Sequence, residues 1–208
     1  MKKKTHILVG ICSGQNQTAR RAAVRDTWLR RPQNGVDCLF FVGGEQPPAG
    51  EENDTVALPA RDDYGHLPEK VLAFFRYALE HYDFDWLFKC DDDTYVCLDR
   101  LPSLGDPAYG LIGDEMLGFR DAPSGGAGYM LTRSMVGKIA AVSGIPAEGA
   151  EDLIFGRLAL HLGANPCVTD RLCRFATPYP LPGNEQVTVH WCTPDMLRHI
   201  DSRSHHKP

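Results

Sequence analysis

Three consecutive aspartates, Asp91, Asp92 and Asp93, lie between two segments that have the character of buried β-strands. Residues 86–90 are mostly apolar or aromatic, and residues 94–96 continue in the same way. Carboxylates at the end of a buried strand repel one another and lose hydration, so a divalent cation with oxygen ligands is the natural way to neutralise them. The simpler interpretation is an aspartate-rich turn that caps the next element. We favour a metal site, which would suit a phosphate ligand held through the metal.

The composition predicts one domain. Of the 208 residues, 43% are hydrophobic, which is enough for a single sizeable core. We assign residues 1–200 to this domain and residues 201–208 to a polar, disordered tail. The net charge of −5 argues against nucleic-acid binding, which requires a dominant basic face. A small or neutral partner is expected, and the oligomeric state stays open.

The segments relevant to location are the N-terminus and the cysteines. Residues 1–4 are basic, but the apolar run that follows is short, and we interpret it as a first strand and not as a signal peptide. No apolar run approaches the roughly 20 residues of a membrane span. Seven scattered cysteines without a CxxC pair predict reduced thiols and no structural zinc. Together these features favour a cytoplasmic protein, with peripheral association to a membrane as the alternative.

Strand-like and helix-like segments alternate along the chain. The clearest helix has Pro68 in its first turn and carries Val71, Phe74, Phe75 and Ala78 on one face. Strands are predicted at residues 6–11, 36–42, 55–58, 86–90, 111–113, 129–132 and 187–191, further helices at 17–29, 133–142, 151–162 and 194–200, and a loop at 177–184. This order predicts a three-layer α/β/α fold with a mostly parallel mixed sheet that binds ligands at the carboxyl ends of its strands.

Six segments occur in an order that resembles the inverting β1,3-glycosyltransferase family, which includes β1,3-galactosyltransferases, β1,3-N-acetylglucosaminyltransferases and Fringe. These segments are residues 21–28, 40–43, 63–70, 88–96, 125–131 and 151–156. Each is a weak signal, but six in order are a strong one. The resemblance implies a GT-A fold, a UDP-sugar donor, a glycan acceptor and Mn(II) or Mg(II). Animal members carry an N-terminal anchor, a stem and disulfides, and we expect this chain to be a compact soluble relative.

The resemblance also implies a set of metal ligands. It makes Asp91 and Asp93 an Asp-x-Asp pair, whose side chains would share a face in a strand. A turn here would allow either Asp92 or Asp93 to reach the metal, and the family pattern favours Asp93; Asp91 and Asp92 are also candidates for donor contacts. His190 resembles a metal-ligating histidine late in the family's chain, although a histidine after a strand is more often structural. An imidazole beside carboxylates suits manganese better than calcium.

An inverting transfer needs one base that takes the proton of the acceptor hydroxyl. Asp152 is the first candidate, because it matches the second acid of the family's acidic pair and lies at the start of a predicted helix. Glu151 is the second candidate. The alternative is that both acids simply favour the positive N-terminus of that helix.

Donor contacts are assigned to further residues by motif and charge. Arg21, Arg25 and Lys70 are candidates for the diphosphate and uridine, with a solvated basic helix face as the alternative. Asp63 could accept from the uracil or ribose, or could cap a loop. The Gly125 and Gly126 pair, with no side chains, allows close approach of a sugar.

These assignments predict transfer of galactose or N-acetylglucosamine from UDP to a sugar hydroxyl, with inversion and a β1,3 linkage. Residues 115–124 are predicted to be a lid on the acceptor side. The alternatives are a metal-dependent nucleotide-sugar hydrolase and a non-catalytic module that binds nucleotide sugars or glycans. A dinucleotide site would need the GxGxxG spacing, which residues 10–14 lack.

Overall fold

The computed structural model describes residues 2–51, 53–175 and 185–204. Its strands are β1 (Lys3–Lys4), β2 (Ile7–Cys12), β3 (Val36–Gly43), β4 (Thr55–Leu58), β5 (Tyr82–Asp83), β6 (Trp86–Asp91), β7 (Tyr95–Val96), β8 (Leu111–Gly113), β9 (Tyr129–Thr132), β10 (Pro166–Val168), β11 (Leu172–Cys173) and β12 (Thr188–Val189). Its α-helices are α1 (Thr18–Asp26), α2 (Leu67–His81), α3 (Met116–Arg120), α4 (Arg133–Ala140), α5 (Glu151–His161) and α6 (Pro194–Ser204).

A seven-stranded sheet in the order β10-β8-β9-β6-β2-β3-β4 forms the centre of the fold. Strand β9 runs antiparallel to its neighbours β6 and β8, and the other neighbouring pairs of this sheet are parallel. A smaller sheet of β11, β12 and β7 lies beside it, and β1 pairs with β5. The predicted mostly parallel mixed sheet is therefore confirmed.

The side chains of β2 show how the sheet separates two cores. Ile7, Val9 and Ile11 belong to the core that also contains side chains of α1 and α6. Leu8 and Cys12 point to the opposite face, where α2, α4 and α5 cover the sheet. Because successive strand residues face opposite sides, a strand buried on both faces must be apolar throughout, as β2 is. The result is the predicted α/β/α arrangement.

Most predicted elements are present, and their ends shift by a few residues. The strands predicted at 55–58, 111–113 and 129–132 have the predicted bounds. The helix predicted at 17–29 ends at Asp26, and a 3-10 turn, Trp28–Arg30, follows it. The strand predicted at 187–191 is reduced to β12, and the backbone leaves the extended conformation at Trp191, whose φ is 64°. The predicted loop at 177–184 lies outside the described residues.

The start of the predicted polar tail needs correction. Helix α6 continues past its predicted end at residue 200 as far as Ser204. Asp201 is buried, and its carboxylate accepts hydrogen bonds from Arg30 at 2.7 Å and from the Tyr95 hydroxyl at 3.2 Å. These partners are distant in sequence, so the polar composition of the segment alone does not predict its burial. Residues 205–208 lie outside the described residues.

Two further predictions concern the cysteines and the membrane. All seven cysteines are free thiols, as predicted. None of the helices that the structure describes combines the length and the apolar character that crossing a membrane requires.

Candidate active site

The three aspartates lie where β6 ends, next to the carboxyl end of β2. Asp91 is the last residue of β6 and stands opposite Cys12 in the sheet register. The Asp92 amide donates to the Cys12 carbonyl at 3.0 Å, and the Thr94 amide donates to the Asp91 carbonyl at 3.2 Å. These bonds make the chain turn directly after the strand, so the three carboxylates do not alternate as they would in a strand.

Asp91, Asp93 and His190 come together at this turn. One potential ligand atom from each lies within 4.8 Å of the others. His190 Nε2 is 3.1 Å from Asp93 Oδ1, yet this buried oxygen has no hydrogen-bond partner among the described residues. His190 Nδ1 is also buried and, within the same part of the chain, without a partner. Since a buried carboxylate oxygen without a donor is costly, the residues present fit a divalent cation, and an imidazole with two carboxylates suits manganese.

Asp92 is directed away from this cluster. Its carboxylate accepts hydrogen bonds from the Ser13 hydroxyl at 2.6 Å and from Arg20 at 3.1 Å. Burial raises the pKa of Asp92, and these two donors only partly offset that effect. Arg20 also reaches Asp93 Oδ2, at 3.2 Å. Of the two aspartates between which the sequence left the choice open, Asp93 is the one that lies with Asp91 and His190 in this cluster.

A buried lysine that the sequence analysis did not select links the metal-ligand candidates to the acids of α5. Lys89 Nζ donates to Asp91 Oδ1 at 2.8 Å and to Glu151 Oε1 at 2.7 Å. Burial acts to lower the pKa of Lys89, but the two carboxylates outweigh it and the pKa is raised. Burial likewise acts to raise the pKa of Asp91, and Lys89 outweighs it, so the pKa of Asp91 is lowered.

Glu151 and Asp152 occupy the first turn of α5 but have different surroundings. Glu151 is buried, and its second carboxylate oxygen accepts from the Tyr129 hydroxyl at 3.0 Å. Burial raises the pKa of Glu151, and Lys89 opposes this. Asp152 is only partly buried; it accepts from the Leu153 amide at 2.8 Å and from the Gly125 amide at 3.4 Å. Of the two base candidates, Asp152 therefore has the more accessible carboxylate.

Gly125 lies against the Glu151 carboxylate, and Gly126 lies against the His190 ring. A Cβ on Gly126 would overlap the His190 ring, and a Cβ on Gly125 would overlap the Glu151 carboxylate. The prediction was that these glycines admit a sugar. What the structure shows is that they let two site side chains pack directly against the backbone.

A cleft with an empty volume of about 600 Å³ opens beside Asp91 and Asp92. Its walls include Arg20, Lys70 and the exposed ring of Tyr64. Other lining residues are Cys12, Ser13, Gly14, Gln17, Asp62, Asp63 and Leu67.

Lys70 and Asp63 both line this cleft, as a donor-binding role would require. Lys70 Nζ donates to the Ser13 carbonyl at 2.9 Å and to Asp62 at 3.0 Å. The Asp63 carboxylate accepts from the His66 amide at 3.1 Å, so it caps the short turn Tyr64–His66. The capping alternative for Asp63 is therefore present in the structure.

Arg21 and Arg25 do not line this cleft as its described residues define it. Arg21 is fully buried, and its guanidinium donates to Glu51 at 2.6 Å and to the Ser13 hydroxyl at 2.9 Å. Arg25 donates to Asp54 at 2.8 and 2.7 Å. The acids of the loop after β3 hold both side chains. Arg21 bonds to Ser13 and Gly14 of the cleft wall without lining the cleft itself, and because it is fully buried, the alternative of a solvated helix face is wrong for Arg21.

Arg20 lines the cleft, whereas the sequence predicted donor contacts for Arg21. On a helix, adjacent residues point about 100° apart, so one position decides whether a side chain faces a site. The sequence contained Arg20 and Arg21 side by side, and only the packing of α1 on the sheet distinguishes them.

Solved structures with a similar fold are glycosyltransferases of the GT-A class. A glycosyltransferase involved in glycosylation of the major capsid of PBCV-1 has a TM-score of 0.59 at 13% identity, over 94% of this chain and 98% of that chain. A mannosyltransferase from Pyrobaculum calidifontis, solved with GDP-Man and Mn²⁺, has a TM-score of 0.56 at 12% identity, over 80% and 55%. At such identities the similarity shows the fold alone. The GT-A fold predicted from the motifs is confirmed.

The amino-acid sequence is similar to those of galactosyltransferases. The galactosyltransferase family model matches residues 19–108. A probable beta-1,3-galactosyltransferase 13 of Arabidopsis thaliana is 34% identical over 46% of this chain and 33% of its own length. Mouse beta-1,3-galactosyltransferase 6 is 34% identical over 48% and 35%. The chain thus spans about a third of the length of these curated relatives. The predicted resemblance is confirmed: residues 19–108 match the galactosyltransferase family, and the curated relatives that match are β1,3-galactosyltransferases.

Proposed function

We propose that this protein is a metal-dependent, inverting glycosyltransferase that moves galactose or N-acetylglucosamine from a UDP-sugar to a sugar hydroxyl, forming a β1,3 linkage. The observation that carries the proposal is the cluster of Asp91, Asp93 and His190, whose ligand atoms lie within 4.8 Å of one another at the end of β6. Mn²⁺ or Mg²⁺ held by these three residues would stabilise the charge that the departing diphosphate gathers.

The neighbouring cleft supplies groups that suit the rest of the donor. Arg20 bridges Asp92 and Asp93 with a partly exposed guanidinium, which is within reach of phosphate oxygens beside the cluster. Lys70 adds a second positive charge, held in place by the Ser13 carbonyl and Asp62. The Tyr64 ring is 87% exposed on the cleft wall and offers a flat surface to the base of the nucleotide.

Asp152 is the residue that we assign to proton removal. Its carboxylate is partly exposed, whereas Lys89 and the Tyr129 hydroxyl engage both oxygens of Glu151. Asp152 would accept the proton of the acceptor hydroxyl while that oxygen forms its bond to the anomeric carbon. The bond from this carbon to the diphosphate breaks on the opposite face, so a single displacement inverts the configuration.

The test is release of UDP from UDP-galactose and UDP-N-acetylglucosamine, measured with MnCl₂ or with EDTA, and with or without saccharide acceptors. We expect release that depends on the metal and is stimulated by an acceptor, and its loss in Asp93→Asn. Asp99→Asn, at an exposed aspartate outside the cluster, is the matched control and should keep wild-type rates. Release that no acceptor stimulates would support a hydrolase instead. Turnover of GDP- or CMP-sugars with UDP-sugars ignored would contradict the donor assignment.

A further inference from the structure

A second pocket, with an empty volume of about 620 Å³, lies outside the donor cleft and is bordered by exposed aromatic rings. Phe119 on α3 and Phe175 after β11 line it, and their exposed fractions are 85% and 47%. Trp191, which is 59% exposed, extends this surface, because its ring meets the Phe175 ring edge to face at a centroid distance of 5.3 Å. Large aromatic side chains gain free energy on burial, so three exposed ones together indicate a surface that a ligand covers.

These rings lead directly to the candidate metal cluster. Trp191 follows His190 in sequence, and the centroids of the two rings are 5.8 Å apart. The backbone of Trp191 has a φ of 64°, a left-handed conformation that is unfavourable for a bulky residue. This conformation allows His190 to point into the cluster while Trp191 points outward.

The pocket also adjoins the candidate base. Asp114 lines the pocket, and its carboxylate accepts from the Ser124 amide at 2.9 Å and from the Met116 amide at 3.2 Å. The next residue after Ser124 is Gly125, whose amide faces Asp152 at 3.4 Å. One wall of the pocket is therefore attached to the segment that contacts the base.

The charge of the lining separates this pocket from the donor cleft. Asp114, Glu115 and Asp170 place three carboxylates against a single guanidinium, that of Arg174, which lies over the Phe175 ring at 4.3 Å. Such a lining repels phosphate. It favours a neutral ligand whose hydroxyl groups donate hydrogen bonds to the carboxylates. The donor cleft, in contrast, presents Arg20 and Lys70.

We propose that Phe119, Phe175 and Trp191 form a platform on which the pyranose rings of the acceptor saccharide stack. A pyranose presents a face of C–H groups that packs on an aromatic ring, while its edge hydroxyls bond to charged groups such as Asp170 and Arg174. The reacting sugar would lie nearest Trp191, between the cluster and Asp152, and the following sugar would occupy the pocket. This inference rests on the proposed function, since it places the acceptor of the same reaction.

The chain offers a direct optical test of binding. Trp28 and Trp86 are buried, with 2% and 4% of their surface exposed, so Trp191 is the one exposed tryptophan of the three. Lactose, N-acetyllactosamine and chitobiose would be titrated separately into the protein, with glycerol as the control solute. We expect at least one disaccharide to shift the emission and to reduce quenching by acrylamide. In Trp191→Phe, which keeps a ring but removes the reporter, the emission change should disappear.

Kinetics with the disaccharide that binds gives the second readout. In Trp191→Ala and in Phe175→Ala, the KM for the acceptor should rise about tenfold, as expected for loss of one stacking contact. The KM for the donor should stay within about twofold of wild type. Trp191→Phe should recover most of the acceptor affinity. Val168→Ala, at an exposed apolar residue that does not line the pocket, is the matched control and should change neither constant.

The outcomes separate the two proposals. If no disaccharide alters the Trp191 emission and neither alanine variant raises the KM for the acceptor, the platform is wrong even if transfer proceeds. If a disaccharide binds at Trp191 but the wild-type protein never transfers a sugar, the proposed function fails and the saccharide site stands. If Trp191→Ala abolishes self-association on size-exclusion chromatography without affecting saccharide binding, this face is a protein contact and the platform is overturned.

Discussion

The ammonium of Lys89 lies 2.7 Å from a carboxylate oxygen of Glu151, and both side chains are buried. The same ammonium lies 2.8 Å from Asp91. Lys89 therefore forms ion pairs both with Asp91 of the candidate metal cluster and with Glu151, which is adjacent to the candidate base Asp152. This arrangement joins β6 to the start of α5. The geometry of the site therefore depends on Lys89, which is not among the described residues that line the donor cleft or the aromatic pocket.

Lys89→Met should destabilise the fold by about 3–5 kcal/mol, because it leaves the buried Glu151 carboxylate and the partly buried Asp91 carboxylate without their cation. Denaturant unfolding measures this change. The double variant with Glu151→Gln should recover part of the loss, since one of the two charges is then absent. Lys138→Met is the control, because the exposed Lys138 ammonium bonds only to a carbonyl, and it should change stability by less than about 0.5 kcal/mol. Equal effects of the two lysine variants would contradict the interpretation.

The neighbours Glu151 and Asp152 should respond differently to amide substitution. Glu151→Gln loses a charged partner of Lys89 and should lower the free energy of unfolding by about 1–3 kcal/mol. Asp152→Asn should leave the unfolding midpoint close to wild type and lower the rate of transfer about 10²- to 10⁴-fold, while binding of Mn²⁺ and UDP persists. If Glu151→Gln abolished transfer at unchanged stability and Asp152→Asn did not, the base would be Glu151.

Binding of Mn²⁺ should distinguish Asp93 from Asp92. A metal that binds only the folded protein raises the melting temperature, and the rise grows with the logarithm of the ratio of metal concentration to Kd. We expect MnCl₂ to raise the melting temperature of the wild type, and we expect Asp93→Asn and His190→Ala to lose that rise. Asp92→Asn should retain most of it, since Asp92 is directed at Ser13 and Arg20. Differential scanning fluorimetry with MgCl₂ and EDTA arms gives the comparison.

Gly126→Ala should disrupt the cluster through a steric effect. The new methyl group would overlap the His190 ring, so the imidazole must move and Mn²⁺ affinity should fall by at least about tenfold. Gly137→Ala provides the matched control, because no atom lies within 4 Å of the position of its new methyl group in α4. That control should leave the affinity unchanged and stabilise the helix by about 0.5–1 kcal/mol. Isothermal titration with MnCl₂ measures the affinities.

The ion pair of Glu51 with Arg21 should make stability depend on pH. Hydrogen bonding from Arg21 lowers the pKa of Glu51 from its ordinary value of 4.5, despite partial burial. A lowered pKa means that the folded state favours the ionised carboxylate. Its contribution is therefore complete above about pH 4.5 and is lost as the pH falls through the lowered value.

Glu51→Gln should lower the free energy of unfolding by about 1–3 kcal/mol at pH 7, and the difference from wild type should shrink as the solution is acidified. Urea unfolding from pH 7 to pH 3 checks this. Glu45→Gln, at an exposed residue of the same loop, should show no such difference at any pH. A difference between Glu51→Gln and wild type that stayed constant across this range would exclude the ion pair as its cause.

Local patterns were sufficient for the long elements. The apolar spacing around Phe74 predicted α2, and the strands at 55–58, 111–113 and 129–132 have the predicted bounds. Other short elements, such as α3 and β11, were not predicted, because so few residues carry too little periodicity. Strand β7 forms through pairing with β12, whose residues lie more than 90 positions away.

The sequence by itself determined the layered α/β fold and the resemblance to β1,3-glycosyltransferases, and it predicted that Asp91, Asp93 and His190 lie together. Burial periodicity and motifs of charged residues are short-range properties, so they can be read along the chain. Only the tertiary structure decided that Asp92 turns toward Ser13, that Arg20 instead of Arg21 faces the cleft, and that Lys89 joins Asp91 to Glu151. The physical reason is that a charged side chain inside a protein pairs with the groups that the packing brings near it. Glu151, one of the two carboxylate partners of Lys89, lies 62 residues further along the chain.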